Sequence, residues 1–531
     1  VWRTIFRECL PSNDLGLCTR TMKEAPLLFT NICHFWQEIV MTTPSLWNSV
    51  HIFIPAPSRE FVGEIYVSIM RARIDGFRKW LDRSMSLPIT ISISSQRSWY
   101  DGPLDPFPGV QYITQPDAEQ ASQSSEPYRT LRREFLELVA QYSRRWRTLA
   151  YGGPDSRLDF SPFDTLTTQD LGLLQDVHSF GILFPFQEEN EATVSGSPSP
   201  LANLLSRTSC LRTLRLVGDT ISERALSSSV GWSRLTELSI SHIYTSTLTP
   251  GQIIHTLAKQ CHSLTTLSLE ICGFRRRNED MLPLPIEWPS LQDLNISFNT
   301  NSYTIDPNGH APIPTFMPVI TNTFNTVIFP FLTRFSVMVP YTISFTNHFD
   351  PDKHILDYTP FDTLLSTSQC PLVHLEIACP QHLTVEAHLR ILRPLDGLAS
   401  LKLGHSTFPR RIHTGDVQND HLSRLWCSEL LQATELGSLC PELEDVSLQG
   451  CYVDDVEAIL GFAMQRPRLK TLRAGFGRIS SRAGRRLLEP REEMKVLREK
   501  GIDLYWEYTE DVREQPHDSA NDGMPGLSDW W

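Results

Sequence analysis

Cys440-Pro-Glu-Leu-Glu-Asp-Val-Ser-Leu-Gln-Gly-Cys451 holds the unit from which the chain is built. Leu443, Val446 and Leu448 set up a Leu-x-x-Leu-x-Leu frame. Val446 and Leu448 alternate as they would on a strand with one buried face. Cys261–Cys272 repeats the frame in phase, with Leu264, Leu267 and Leu269 in the apolar places and a Cys again at each end.

Seven further copies follow the same frame: Leu211/Leu214/Leu216, Leu235/Leu238/Ile240, Leu291/Leu294/Ile296, Leu332/Phe335/Val337, Leu372/Leu375/Ile377, Leu398/Leu401/Leu403 and Leu469/Leu472/Ala474. The first position advances 24 residues from Leu211 to Leu235, 29 to Leu264 and 27 to Leu291. Repeats of about 20–29 residues with this pattern are leucine-rich repeats, in which stacked units share one core. Longer gaps mark insertions at 299–329, 341–360 and 405–424. Between frames, Ile253, Ile254, Leu257 and Ala258 have the spacing of a short amphipathic helix. The expected fold class is therefore α/β: a leucine-rich-repeat solenoid, a horseshoe with helices outside and parallel strands on its concave wall. Such a stack escapes the size limit of a single core, which 531 residues exceed.

The first 54 residues are different. Trp2, Ile5, Phe6 and Leu10 have helical spacing that Pro11 ends. A second helix is predicted from Ala25 to Val40, with Pro26 at its start and a stripe of Leu28, Ile32, Phe35, Trp36 and Ile39. This stretch resembles an F-box, as found in large fungal families. The resemblance rests on Ile5-Phe6 with Leu10-Pro11, Ala25-Pro26-Leu27-Leu28, Ile32-Cys33 followed by Trp36, and Pro44-Ser-Leu46-Trp47. The family's usual Leu-Pro-x-Glu opening is absent, and His34-Phe35 stands where basic residues are common. Since Val1 is not Met, the chain is expected to begin inside a longer protein.

The expected organisation is an F-box-like all-α module at 1–54, degenerate first repeats with a mobile insertion at 55–145, the solenoid at 146–506 and a disordered acidic tail at 507–531. In the second part, Met70, Ile74, Phe77 and Leu81 share a helical face, Ile89, Ile91 and Ile93 alternate as a strand, and 101–126 reads as the insertion. A further helix carries Leu131, Phe135, Leu138 and Tyr142, with strand-like runs at 146–151 and 177–183. Near the end, Pro490 opens a helix containing Met494 and Leu497, Gly501 closes it, and Ile502, Leu504 and Trp506 form a last strand.

Composition narrows the function. A net charge of −13 argues against a nucleic-acid binder, and no apolar run approaches the length of a membrane helix. The basic clusters Arg144/Arg145/Arg147, Arg275–Arg277 and Arg482/Arg485/Arg486 read as solvated faces. The 11 scattered Cys, with no Cys-x-x-Cys, fit reduced thiols in the cytoplasm or nucleus. No catalytic constellation stands out, so no enzyme and no cofactor are expected. Gly475-Phe-Gly477 lacks the third glycine of a dinucleotide loop and reads as a repeat turn. His405, His413 and His421 lack companions at metal-ligand spacing. Asn295-Ile-Ser297 matches a glycosylation acceptor but falls on a predicted inner strand.

The resemblance implies a non-catalytic substrate-recognition subunit of a Skp–cullin–F-box ubiquitin ligase. Its adaptor contact would use Ile5, Leu10, Pro11, Pro26, Leu27, Leu28, Leu46 and Trp47, while Ile32 and Trp36 would serve the module's own core. A protein target would bind the repeats. A repeat scaffold without a ligase role is the alternative. Strand alternation predicts an acidic strip on the concave wall, Glu237, Glu270 and Asp293, able to receive a basic segment.

Overall fold

The computed structural model describes residues 1–11, 17–18, 20–55, 64–95, 118–152, 161–180, 200–217, 231–245, 250–274, 285–299, 324, 327–338, 364–365, 367–378, 385–404, 430–432, 439–451, 455–479 and 492–510. The chain divides into two compact units, Val1–Ser241 with Asn521–Trp531, and His242–Ala520. Both are mixed α/β, and fourteen strands take part in long parallel pairing. That arrangement is consistent with a solenoid-like α/β fold.

The first unit contains α1 (Trp2–Glu8), α2 (His34–Met41), β1 (Ser49–Ile54), α3 (Glu64–Arg83), β2 (Ile89–Ser95), α4 (Ala118–Gln141), β3 (Trp146–Gly152), α5 (Ser161–Asp164), β4 (Asp176–Phe180), α6 (Pro200–Ser206), β5 (Thr213–Val217) and the start of β6 (Glu237–Thr245). Val50, Ile91, Leu149, Val177, Leu214 and Leu238 are successive partners across β1–β6. All six are buried, so the apolar frame reaches back to β1, ahead of the first regular copy. The α3 face of Met70, Ile74, Phe77 and Leu81 is buried as its spacing predicts. Arg145 is more than a solvated side chain. Its guanidinium bonds the carbonyls of Leu87 at 3.0 Å and Leu81 at 3.4 Å, capping the end of α3. The segment expected as an insertion at 101–126 becomes helical from Ala118. Ala118, Glu119, Gln120 and Ala121 are good helix formers, and the polar composition concealed that.

In the second unit lie α7 (Pro250–Gln260), β7 (Thr266–Phe274), β8 (Ile286–Glu287), β9 (Asp293–Asn299), β10 (Val327–Ile328), β11 (Arg334–Met338), β12 (His374–Ile377), α8 (Val385–Leu392), β13 (Ser400–Leu403), β14 (Asp445–Cys451), α9 (Val456–Met464), β15 (Thr471–Ile479), α10 (Glu492–Glu499) and β16 (Asp503–Glu510). Leu267, Leu294, Phe335, Leu375, Leu401, Val446, Leu472 and Leu504 stand side by side. All are buried except Leu504 on the last strand, which is half-buried.

A shared backbone device precedes these strands. The Thr265 carbonyl accepts the amides of Gln292 and Asp293 at 2.9 and 3.0 Å, and the Gln292 carbonyl those of Thr333 and Arg334, both at 2.9 Å. Thr333, Val373, Ala399 and Glu444 continue the series. One carbonyl thus satisfies two amides where the chain turns into each strand, which leaves no buried donor there unpaired.

Gly475 and Gly477 lie inside β15 rather than in a turn. The Gln449 side chain, buried on β14, fills the space a Cβ on Gly475 would need. The end of α10 follows its sequence signal. Gly501 has φ +83, and the Ile502 amide reaches back to the Leu497 carbonyl at 3.0 Å. β16 runs past Trp506 to Glu510, so the first residues of the expected tail pair with β15. Of the insertions, 341–360 and 405–424 lie outside the described residues, as do His405, His413 and His421. Val327–Ile328, from the first insertion, pairs with Ile286–Glu287.

Candidate functional site

Short elements form the start of the first unit. Phe6 from α1 is buried, stacked on Phe29 with ring centroids 4.5 Å apart, and 4.8 Å from Trp36 of α2. Trp2 lies 5.6 Å from the same Trp36. The single helix expected between Ala25 and Val40 is broken in two: a 3-10 turn at Leu28–Asn31, then α2, with Cys33 extended between them. Thr30 explains part of the break, since its hydroxyl donates to the Leu27 carbonyl at 2.7 Å. Asn31 and β-branched Ile32 add further resistance to helix.

The break changes which side chains face outward. Ile32, expected in the core, is 52% exposed, and Phe35 beside it is 55% exposed. Trp36 does serve the aromatic cluster. Of the large apolar side chains that stand exposed among the described residues, half fall within the first 41: Val1, Trp2, Ile5, Met22, Leu28, Ile32, Phe35 and Met41. Burial within the chain accounts for none of them, and concentrated apolar exposure marks interaction surfaces.

The eight predicted adaptor residues separate accordingly. Ile5 and Leu28 are exposed; Leu10, Pro11 and Leu27 are half-buried. Pro26, Leu46 and Trp47 are buried and offer a partner nothing. Trp47 has 0% exposure. Its indole N–H donates to the Val40 carbonyl at 2.9 Å, its ring meets Trp80 edge-on at 4.8 Å, and the Arg83 guanidinium lies 4.5 Å above it. Trp47 pins the end of α2 to α3. Trp2, Ile32 and Phe35 are not among the expected contacts; Phe35 and Trp36 both fit the helical stripe, so no local signal marks which of the two is covered.

On the sheet, Glu237 and Asp293 occupy outward positions of their strands, each half-buried. Both are compensated. Arg215 binds Glu237 Oε1 through Nε at 3.0 Å and Nη2 at 2.6 Å, and Arg334 lies 3.8 Å from Asp293. Glu270 stands four residues farther along its strand than the position beside Asp293, level instead with Ser297. Glu237 in the first unit and Asp293 in the second are thus each answered by a cross-strand cation. Glu376 and Lys402 continue the pairing at 2.5 Å. Exposed ion pairs are worth only about 0–1 kcal/mol, so a partner can displace Arg334, the most exposed of these cations, from Asp293 at little cost.

No group of three His, Cys, Asp or Glu among the described residues could hold a metal ion. Burial pushes the thiols of Cys18 and Cys261 up to about 12 and that of Cys440 to about 11. For Cys18 the Glu24 carboxylate adds to the effect. These Cys are packing residues, protonated at neutral pH. Peptide mapping after brief alkylation of the native chain at pH 8 should find Cys9, Cys33 and Cys210, which are exposed, modified first. Cys18, Cys261 and Cys440 should react only once denaturant is added; equal labelling of all six would contradict the packing described.

No known protein-family model matches this chain, and no curated protein matches it. Among the described residues, no helix is long and apolar enough to cross a membrane.

Proposed function

We propose that the chain is a non-catalytic substrate-recognition subunit of a Skp–cullin–F-box ubiquitin ligase. An F-box-like module in residues 1–54 binds a Skp-type adaptor and, through it, a cullin. The leucine-rich repeats hold a protein target. One observation carries the reading: apolar side chains that the fold leaves uncovered gather where the F-box resemblance lies. The contact set is Trp2, Ile5, Leu28, Ile32 and Phe35, flanked by Leu10, Pro11 and Leu27, and it leaves out the buried Pro26, Leu46 and Trp47. The repeat reading draws support from nine frames, from the side-by-side register of their apolar residues and from the recurring double-acceptor carbonyl. Such a subunit positions lysines of its target near the ubiquitin-loading machinery, and proximity is its contribution.

Size-exclusion chromatography of the chain mixed with a purified Skp-type adaptor tests the first half. Co-elution in one stoichiometric peak is the expected result. Two separate peaks would favour the alternative, a repeat scaffold with no ligase role.

For the second half, the target contributes a basic segment to Glu270 and Asp293 of the second unit, displacing Arg334 from the latter. Reversing both acids to Lys should weaken capture of a co-purified target and flatten its salt dependence, with adaptor binding intact. Capture indifferent to those reversals would move the target site to the insertions.

A further inference from the structure

Two arginines in the first unit lie half-buried near each other, hydrogen-bonded among the described residues only to carbonyl oxygens. Arg20 follows the leading segment, whose Cys18 carbonyl accepts the His51 amide of β1 at 2.8 Å. Its Nη1 donates to the Arg73 carbonyl of α3 at 2.9 Å. The rest of its guanidinium lies against Gly76, one turn on, and occupies the space a Cβ there would need. Arg73 turns its own Nη1 onto the Phe53 carbonyl at the end of β1, with its guanidinium 5.9 Å over the Phe53 ring. On the same face of α3, two turns earlier, the buried Tyr66 hydroxyl donates to the Pro55 carbonyl at 3.2 Å and interacts with Arg132 of α4.

Neither Arg20 nor Arg73 meets a carboxylate among the described residues. Each guanidinium has five N–H donors, and one of the five is placed on a carbonyl. Burial, and for Arg73 the nearby charge of Arg20, lowers the basicity of both. Like charges brought together away from water raise the energy of the fold unless an anion joins them.

We propose that Arg20 and Arg73 form a binding site for a phosphate group. The arginine fork matches tetrahedral oxyanions bidentately, and two forks can share one dianion. A bound phosphate would replace the Arg20–Arg73 repulsion by two attractions and tie the leading segment, β1 and α3 together. The group can arrive on a small molecule or on a phosphorylated side chain. The site does not depend on the ligase reading, and the chain alone is sufficient to test it.

The experiment is a titration of the full chain with inorganic phosphate, by calorimetry and thermal melting, against chloride at matched ionic strength. Saturable one-site binding with a rise in Tm is expected, weakened at least tenfold in both Arg20→Gln and Arg73→Gln. Because Arg73→Gln also removes the bond to Phe53, Gly76→Ala serves as a second variant. It forces the Arg20 guanidinium off α3 without removing charge, and should weaken phosphate binding in a chain whose circular dichroism is unchanged. A phosphoserine peptide forms the other arm: competition at lower concentration than inorganic phosphate assigns the group to a protein source, and weaker competition to a small molecule. No saturable binding, or binding equal in wild type and in both arginine variants, means an adventitious ion only and overturns the site.

Discussion

Trp47→Ala should lower stability by about 3–5 kcal/mol, the range for removing a buried aromatic side chain. The ring is fully enclosed, packed against Trp80 and under Arg83, and its N–H is the donor for Val40 at the end of α2. Truncation opens a cavity between α2 and α3 and removes one of that carbonyl's two donors, the Thr43 amide remaining at 3.2 Å. A urea titration followed by circular dichroism should show the transition of the first unit moved to lower denaturant. A shift below about 1 kcal/mol would mean that Trp47 is a surface residue, as its place in the F-box resemblance implied. Phe35→Ala is the contrasting case, with little expected effect on stability.

The second large effect belongs to the strand core. Leu267→Ala and Leu375→Ala should each cost about 2–5 kcal/mol, because both side chains are buried between neighbouring strands. Leu504→Ala should cost visibly less. Leu504 has the same place in the register but lies on the last strand of the second unit, where it is half-buried. Stacked repeats are coupled only to their neighbours, so an end unit supports fewer contacts than a middle one. Equal destabilisation at all three positions would contradict that one-dimensional coupling.

The ladder was legible because the Leu-x-x-Leu-x-Leu frame records a period-2 strand and the residue that anchors its turn. Where the frame degrades to Ile and Val the strand still forms: alternation revealed it at Ile91, whereas β1 at Val50 lies in the stretch 1–54 expected to be all-α and corrects that expectation. The break at Cys33 was not legible. Leu28, Ile32, Phe35, Trp36 and Ile39 fit a continuous helical stripe, and only the packing of Phe6 and Trp36 selects which of them are covered. Burial of Trp47 depends on Trp80 and Arg83 of α3, contacts no local pattern encodes. The cation beside Asp293 was missed for a different reason. Arg334 stands in the frame Leu332/Phe335/Val337, one strand from Asp293, and its sign could have been read across frames. The Arg20–Arg73 pair joins residues far apart in the chain and left no trace in the sequence.

The central claim is that the uncovered apolar surface of the first residues binds a Skp-type adaptor. Its most direct test is the Kd of purified adaptor for the intact chain, for a Leu28→Glu/Phe35→Glu double variant and for Val373→Glu, an exposed apolar site in the second unit. Hot-spot residues cost at least about 2 kcal/mol, or roughly 30-fold, when lost. The account predicts saturable one-to-one binding by the intact chain, at least that much weakening in the double variant and no change in Val373→Glu. Absence of binding by the intact chain, or equal affinity of all three proteins, would contradict it.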